Sequence, residues 1–467
     1  MKNTLTYAAA LVAAFAPFGL AQDSIPKCGD GSQCPEDAPC CSQYGQCGVG
    51  AYCLGGCDPK HSFDLQSCLP APICKSQDFS MDSLDSPGVR SQSRYLGNGS
   101  ETNWVSSGQP VTYQDSVLLT MAPNTVGTLL MSAHYVWYGK IKASLKTSQG
   151  AGVVTAFILM SDMKDEIDFE FVGTNMKTAE TNYYFQGITN YNNGDDIDVD
   201  SDTRQNWHEY EIDWKPESIQ WKIDGNTVRT LNRDDTYNDT TKQHNYPQTP
   251  SRVQLSLWPG GLPSNGEGTI EWAGGLVDWD SEYMQNGYYY ASVKDISVEC
   301  YDPPHGDKNG NSYYYSSTTG TEDTVVIGDN STVIGSMQAT GDDPDKGKPQ
   351  PSSDSKSSST SSSTSTSTAT PQSVPGMSGG GNAGNSGGSS SSGDSGSAGN
   401  SGDTSGSAND NTGVQGGNGP TTFEQGTGSD SGSSSSSGGS AGTSQANHVV
   451  AGSAVALLGF FIAALML

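Results

Sequence analysis

Nine of the ten cysteines lie between Cys28 and Cys74, and the tenth is Cys300. Nine cannot pair among themselves. In an oxidising compartment, full pairing therefore needs one bridge from the N-terminal region to Cys300. Any fold for this chain has to bring those distant segments together. Residues 22–57 are rich in cysteine and glycine with almost no aliphatic core, so they need staples to fold. Across the chain only 33% of residues are hydrophobic and 58 are glycine. Much of it is therefore not folded core. Asp+Glu number 51 against 23 Lys+Arg, a net charge of −28. That balance excludes binding through nucleic-acid phosphates and leaves a neutral ligand such as a polysaccharide open.

The two ends carry processing signals. Residues 1–21 combine Lys2, an apolar run at 8–15 and small residues Gly19 and Ala21, which predicts a secretory signal peptide cleaved before Gln22. Residues 449–467 are uncharged and apolar. They follow the small residues Gly438, Gly439 and Ser440 and a polar spacer, and nothing basic comes after. This pattern predicts a GPI-attachment tail, removed in the mature protein, rather than a membrane span. Sequons at Asn98, Asn238 and Asn330 suit a secreted surface.

Between the ends, composition divides the chain. Residues 22–75 form a disulfide-rich module and connector. Residues 76–303 alternate apolar and polar positions, as in Lys140-Ile141-Lys142-Ala143-Ser144-Leu145, with frequent Gly, Asn and Asp turns. The expected fold is all-β, one large sandwich or barrel. Residues 304–447 are assigned to a disordered Ser/Thr/Gly-rich linker and stalk, the part from 304 to 349 being ambiguous in composition. Residues 448–467 are the removed tail.

The run Asp165-Glu166-Ile167-Asp168-Phe169-Glu170 carries the chemical signal. On a strand, Glu166, Asp168 and Glu170 project from one face, and Ile167, Phe169 and Phe171 from the other. Three carboxylates in a row repel and raise one another's pKa. Two of them supply what glycosidic cleavage needs, a nucleophile and a proton donor, and the third can tune the nucleophile. An acidic face that binds Ca²⁺ or water is the bland alternative. Parity in 252–258 places Arg252, Gln254, Ser256 and Trp258 on one face, a mixture of polar groups and a large ring that suits a sugar cleft. Thr269, Trp272 and Gln186 are weaker candidates for the same cleft. Trp207, Trp214 and Trp221 are as readily core residues, and His208 is structural. No ligand-spaced histidine cluster implies a catalytic metal, and no cofactor is expected.

The N-terminal segment Cys40-Cys41-Ser42-Gln43-Tyr44-Gly45-Gln46-Cys47-Gly48, followed by Tyr52-Cys53, resembles the hevein-type chitin-binding module. The resemblance implies a sugar platform made of Ser42, Tyr44 and Tyr52, with Gln46 where the family often has an aromatic. It also implies bridges Cys28–Cys41, Cys34–Cys47 and Cys40–Cys53. Three pairings of Cys57, Cys68, Cys74 and Cys300 stay open. The preferred one joins Cys57 to Cys68 locally and Cys74 to Cys300 across the large domain.

The flanks 153–159 and 182–187, Trp207–Trp214, 221–225 and Leu257-Trp258-Pro259-Gly260-Gly261 with 268–275 resemble glycoside hydrolase family 16. With the predicted signal, stalk and anchor, the chain is similar to the fungal Crh/Utr2-type cell-wall transglycosylases. That resemblance implies a concave, concanavalin-like β-jelly roll. It also implies Glu166 as nucleophile, Asp168 as its assisting carboxylate and Glu170 as general acid/base. It further implies a chitin donor, a β-glucan or chitin acceptor, wall and membrane-surface localisation, and a monomer. A hydrolase of the same fold and a non-enzymatic chitin-binding wall protein are the alternatives.

Overall fold

The alternating pattern of residues 76–303 closes into two eight-stranded sheets. A computed structural model describes residues 25–349 except 30, 86–87, 191 and 307–308. The expected signal peptide, the stalk from 350 onward, Gly438, Gly439, Ser440 and the tail lie outside the described residues. One sheet runs in the order Asp195–Asp198, Thr178–Tyr184, Glu166–Val172, Val153–Ser161, Ser251–Pro259, Thr128–Val136, Trp104–Ser107, Val89–Ser91. All its pairings are antiparallel except the last. The second is built on His208–Trp214, Gly139–Lys146 and Tyr289–Cys300.

Between the sheets lies the core, and strand parity decides which residues enter it. Ile167, Phe169 and Phe171 point inward, as do Val253, Leu255 and Leu257. Phe157, Phe169 and Phe171 stack at 6.3 and 6.4 Å, and Tyr210 of the opposite sheet meets Phe171 edge-on at 4.7 Å. Each such ring contributes roughly 1.5–3 kcal/mol by leaving water. Trp214 and Trp221 are core residues whose indoles donate to Pro247 O (3.1 Å) and Asp168 O (3.0 Å). His208 sits between Ser201 and Asp224 on the second sheet, a structural position.

The five bridges are Cys28–Cys41, Cys34–Cys47, Cys40–Cys53, Cys57–Cys68 and Cys74–Cys300. The last closes a loop with a sequence separation of 226. Replacing both Cys74 and Cys300 with Ser should cost about 2–5 kcal/mol of stability, because so long a loop frees much chain entropy. Urea unfolding of the oxidised proteins checks this, and an unchanged midpoint would show that the sandwich holds its ends together without the bridge.

The assignment of 304–349 to a disordered linker is corrected by the structure. Ser312–Tyr315 pairs with Val325–Gly328 and with Ala71–Pro72 in a three-stranded sheet. Beyond it, Ile334 and Ala339 are buried against Tyr52, Cys53 and Leu54 of the N-terminal module. The physical reason is local. The average composition is polar, but Tyr313, Val325, Ile327 and Ile334 are apolar positions with a surface to cover. This strap runs tightly over the module. Gly50 donates to Ala339 O at 2.8 Å, and a Cβ on Gly50 would lie 2.3 Å from Met337 O.

Candidate active site

The strand Glu166–Val172 places Glu166, Asp168 and Glu170 on the face turned away from the core. All three are almost completely buried, at 2%, 0% and 1% exposure. One oxygen each of Glu166 and Glu170 and both of Asp168 have no hydrogen-bond partner within the protein. Desolvation pushes all three toward the protonated form. Glu166 is raised well above its usual range by burial and by the Asp168 charge. Glu170 is raised likewise by burial, then by Asp168, Glu166 and Glu180. Asp168 is raised to about 8 by burial, against the pull of Arg229. Burial at this density stores charge repulsion that folding alone does not require.

Neighbouring strands supply groups that sequence reading missed. Glu180, Asn182 and Tyr184 stand opposite Glu170, Asp168 and Glu166 in register. Their own alternation was visible, but which strand they pair with was not. Arg229 comes from the other sheet. It donates to Thr181 O (2.7 Å) and lies 4.7 Å over the Trp221 ring, close enough to be the cation that steadies Asp168. Asp165, the first acid of the motif, has a structural place. It accepts from Gln186 N, Gln248 N, Thr249 N and Thr249 Oγ1 at 2.6–3.0 Å.

Two flanks border the carboxylates. On one side Trp258 stacks on Trp272 at 6.0 Å, and the Trp272 indole donates to Glu180 at 2.8 Å. Trp258 hydrogen-bonds Glu170, so two of the expected cleft residues border the carboxylate row. Thr269 is buried on the short helix Glu267–Trp272 that carries Trp272. The other two are drawn into intramolecular contacts. Arg252 donates from Nε to Ser132 O (2.8 Å) and from Nη1 to Gly55 O (3.1 Å). Gln186 accepts from Lys60 Nζ (2.8 Å) and donates to Thr319 O and Gly320 O. In this structure Arg252 and Gln186 hold the module and the strap against the sheet.

The residues of the expected sugar platform are largely enclosed. Ser42 is buried and its hydroxyl accepts from Gln46 N at 3.2 Å. Tyr52 is only 3% exposed, packed among Leu54, Leu69 and Ile334. The strap buries the ring that an independent module would display. Tyr44 alone of the three remains half-buried. The sequons Asn98 and Asn238 are partly exposed and Asn330 is exposed. Among the described residues, the one group of side chains close enough to hold a metal is Cys28, Cys34 and Cys47, all of which are committed to bridges.

A family model, "Glycosyl hydrolases family 16", matches residues 98–274. The chain is 57% identical over 317 residues to Crh-like protein 3 of Botryotinia fuckeliana, covering 67% of this chain and 71% of the relative. It is 49% identical over 336 residues to Crh-like protein UTR2 of Candida albicans, covering 70% and 71%. A solved structure, "Crh5 transglycosylase in complex with NAG", is 30% identical with a TM-score of 0.47, covering 58% of this chain and 99% of that one.

Proposed function

Because the chain belongs to the Crh-like proteins of the family 16 glycosyl hydrolases, we propose that it is a retaining transglycosylase of the cell wall. It cleaves chitin through a glycosyl-enzyme intermediate and passes the glycosyl group to β-glucan or chitin. The observation that carries the reading is the row Glu166, Asp168, Glu170, buried and biased toward protonation on a strand face flanked by stacked indoles.

In this reading Glu170, held protonated by burial, donates its proton to the glycosidic oxygen as that bond breaks. A Glu166 carboxylate oxygen bonds the anomeric carbon and forms the ester. Asp168, beside both, shares the remaining proton and limits the charge that accumulates on the strand. Glu170 then takes the proton of the incoming hydroxyl, whose oxygen displaces Glu166. Stereochemistry at the anomeric carbon is retained after two inversions. Transfer competes with hydrolysis, and the burial of all three carboxylates supports transfer because it restricts bulk water at the ester. The indole pair Trp258–Trp272 offers apolar faces for a sugar ring next to Glu170.

Secretion, retention at the wall and plasma-membrane surface through a GPI lipid, glycan attachment at the sequons and action as a monomer belong to the same reading. The test is a donor–acceptor assay with a fluorescent β-glucan or chitin oligosaccharide as acceptor. Label should enter longer products. Free reducing ends without labelled polymer would instead identify a hydrolase. Trp258→Ala should lower the transfer-to-hydrolysis ratio by about tenfold, since loss of one well-buried aromatic contact removes on the order of 1–2 kcal/mol. An unchanged ratio would show that Trp258 does not contact the acceptor.

A further inference from the structure

Strand parity puts Asn182 and Tyr184 beside the carboxylates and turns Tyr183 to the other face, where it stands opposite Ile167. On that side, at the edge of the sandwich, lies a cavity of about 360 Å³. Tyr183, Ile188 and Asn190 contribute to its lining from the strand and the loop that follows. Tyr237 and Asn238 contribute from a two-stranded hairpin, in which Tyr237–Asn238 pairs with Gln243–His244. None of Glu166, Asp168 and Glu170 lines it, so the cavity stands apart from the carboxylate row.

The lining selects a neutral polar ligand. Asn190, Asn193, Asn238 and Asn245 offer amides, and no lysine or arginine is there to draw an anion. Asn190 and Asn193 each spend an amide proton within the protein, and each amide nitrogen carries two. Ile188 and Tyr237 border the cavity at 52% and 47% exposure, apolar surface left open to solvent. The volume falls among the ~300–1,000 Å³ of small-ligand sites, and apolar faces interleaved with amides suit a pyranose ring. One wall also reaches the cation beside Asp168. Asn193 Nδ2 donates to Tyr183 O (2.9 Å), and Asn193 O accepts from Arg229 Nη2 (2.6 Å).

The sequence provides a sugar at this rim. Asn238 begins the sequon Asn238-Asp239-Thr240. Its Oδ1 accepts from Thr240 N (2.9 Å) and Thr241 N (3.2 Å), which holds the turn and leaves Nδ2 for a sugar bond. A ring linked there has an effective concentration on the order of millimolar or higher, enough to fill a site that binds free sugar weakly. We propose that the cavity seats the first N-acetylglucosamine of an N-linked glycan on Asn238, making that sugar a part of the fold. The link forms from a lipid-linked oligosaccharide diphosphate. Asn238 Nδ2 loses a proton and bonds the anomeric carbon, whose bond to the diphosphate oxygen breaks, and the lipid diphosphate leaves. The apolar face of the ring covers Tyr237 and Ile188, and its acetamido group and hydroxyls meet the asparagine amides. Through Asn193 the seated sugar steadies the wall that holds Arg229. The proposal rests on the secretory reading of the chain and is independent of the transglycosylase reading.

The test uses the full chain secreted from a eukaryotic host, with glycopeptide mass spectrometry and amide hydrogen exchange. Asn238 should carry a glycan. Peptides from 185–190 and 235–245 should exchange about fivefold faster in Thr240→Ala, which removes the sequon and keeps Asn238. Thr240→Ser preserves the sequon and should restore wild-type exchange, whereas Asn330→Gln should leave these peptides unchanged. If Thr240→Ala does not fold, the comparison is made on folded wild type: trimming the glycan to one sugar should keep the protection, and complete removal with an N-glycan amidase should abolish it. An unmodified Asn238 on a chain glycosylated at Asn98 or Asn330 would overturn the proposal and leave the secretory reading intact. A chain modified at none of the three would overturn both. Equal exchange with and without the glycan would place it in solvent and overturn the proposal. Protection of the same peptides by a soluble β-glucan oligosaccharide on the glycosylated protein would assign the cavity to an external chain instead.

Discussion

Glu166→Gln is expected to abolish both transfer and hydrolysis, with a loss of about 10⁴ or more in kcat, while soluble chito-oligosaccharides still bind. An amide cannot form the glycosyl ester. Asp168→Asn should be less complete. It leaves the nucleophile in place and removes only the neighbour whose charge raises Glu166 and Glu170. Single-turnover assays with mass detection of the covalent intermediate separate the two variants. Equal losses, or an intermediate trapped on Asp168, would reassign the nucleophile.

The second large effect is on stability and runs opposite to activity. Asp168 moves from 3.8 in the unfolded chain to about 8 when folded, with burial as the main cause. The unfolded state therefore releases this proton first as pH rises. Stability that is complete below about pH 4 should fall through the interval up to about pH 8, and the shifts at Glu166 and Glu170 act in the same direction. For Asp168 alone the loss is on the order of 6 kcal/mol at most. Asp168→Asn should therefore melt higher than wild type near neutral pH, and the advantage should shrink below pH 4. Calorimetric melts across that range decide it. A variant that melts lower at pH 7 would mean that Asp168 is held ionised in the fold. The same raised proton affinities move both limbs of the activity profile above the ordinary carboxylate range, the ascending limb as Glu166 ionises and the descending limb as Glu170 loses its proton.

Strand parity made the carboxylate row legible, since a period of two needs no knowledge of tertiary contacts. It placed Glu166, Asp168 and Glu170 on one face and Phe169 and Phe171 in the core, as found. Pairing between segments was beyond it. Glu180 faces Glu170, and Arg229 arrives from the other sheet, because of register and sandwich closure, which are set by long-range packing. Residues 304–349 were misread for a related reason. A polar average hides a few apolar residues whose burial depends on a partner surface elsewhere, here Tyr52 and Leu54. Arg252 was correctly placed on the outward face, yet nothing local announced that Gly55 would take its guanidinium.

That the three carboxylates follow one another along a single strand has a consequence for how such proteins diversify. Their spacing is a property of the extended backbone, so loop insertions, domain fusions and changes at either end of the sandwich leave it intact. Selection can then reshape donor length, acceptor choice and water access through separately encoded parts without disturbing bond cleavage. The Trp258–Trp272 pair is one such part, contributed by segments far along the chain from the carboxylate strand.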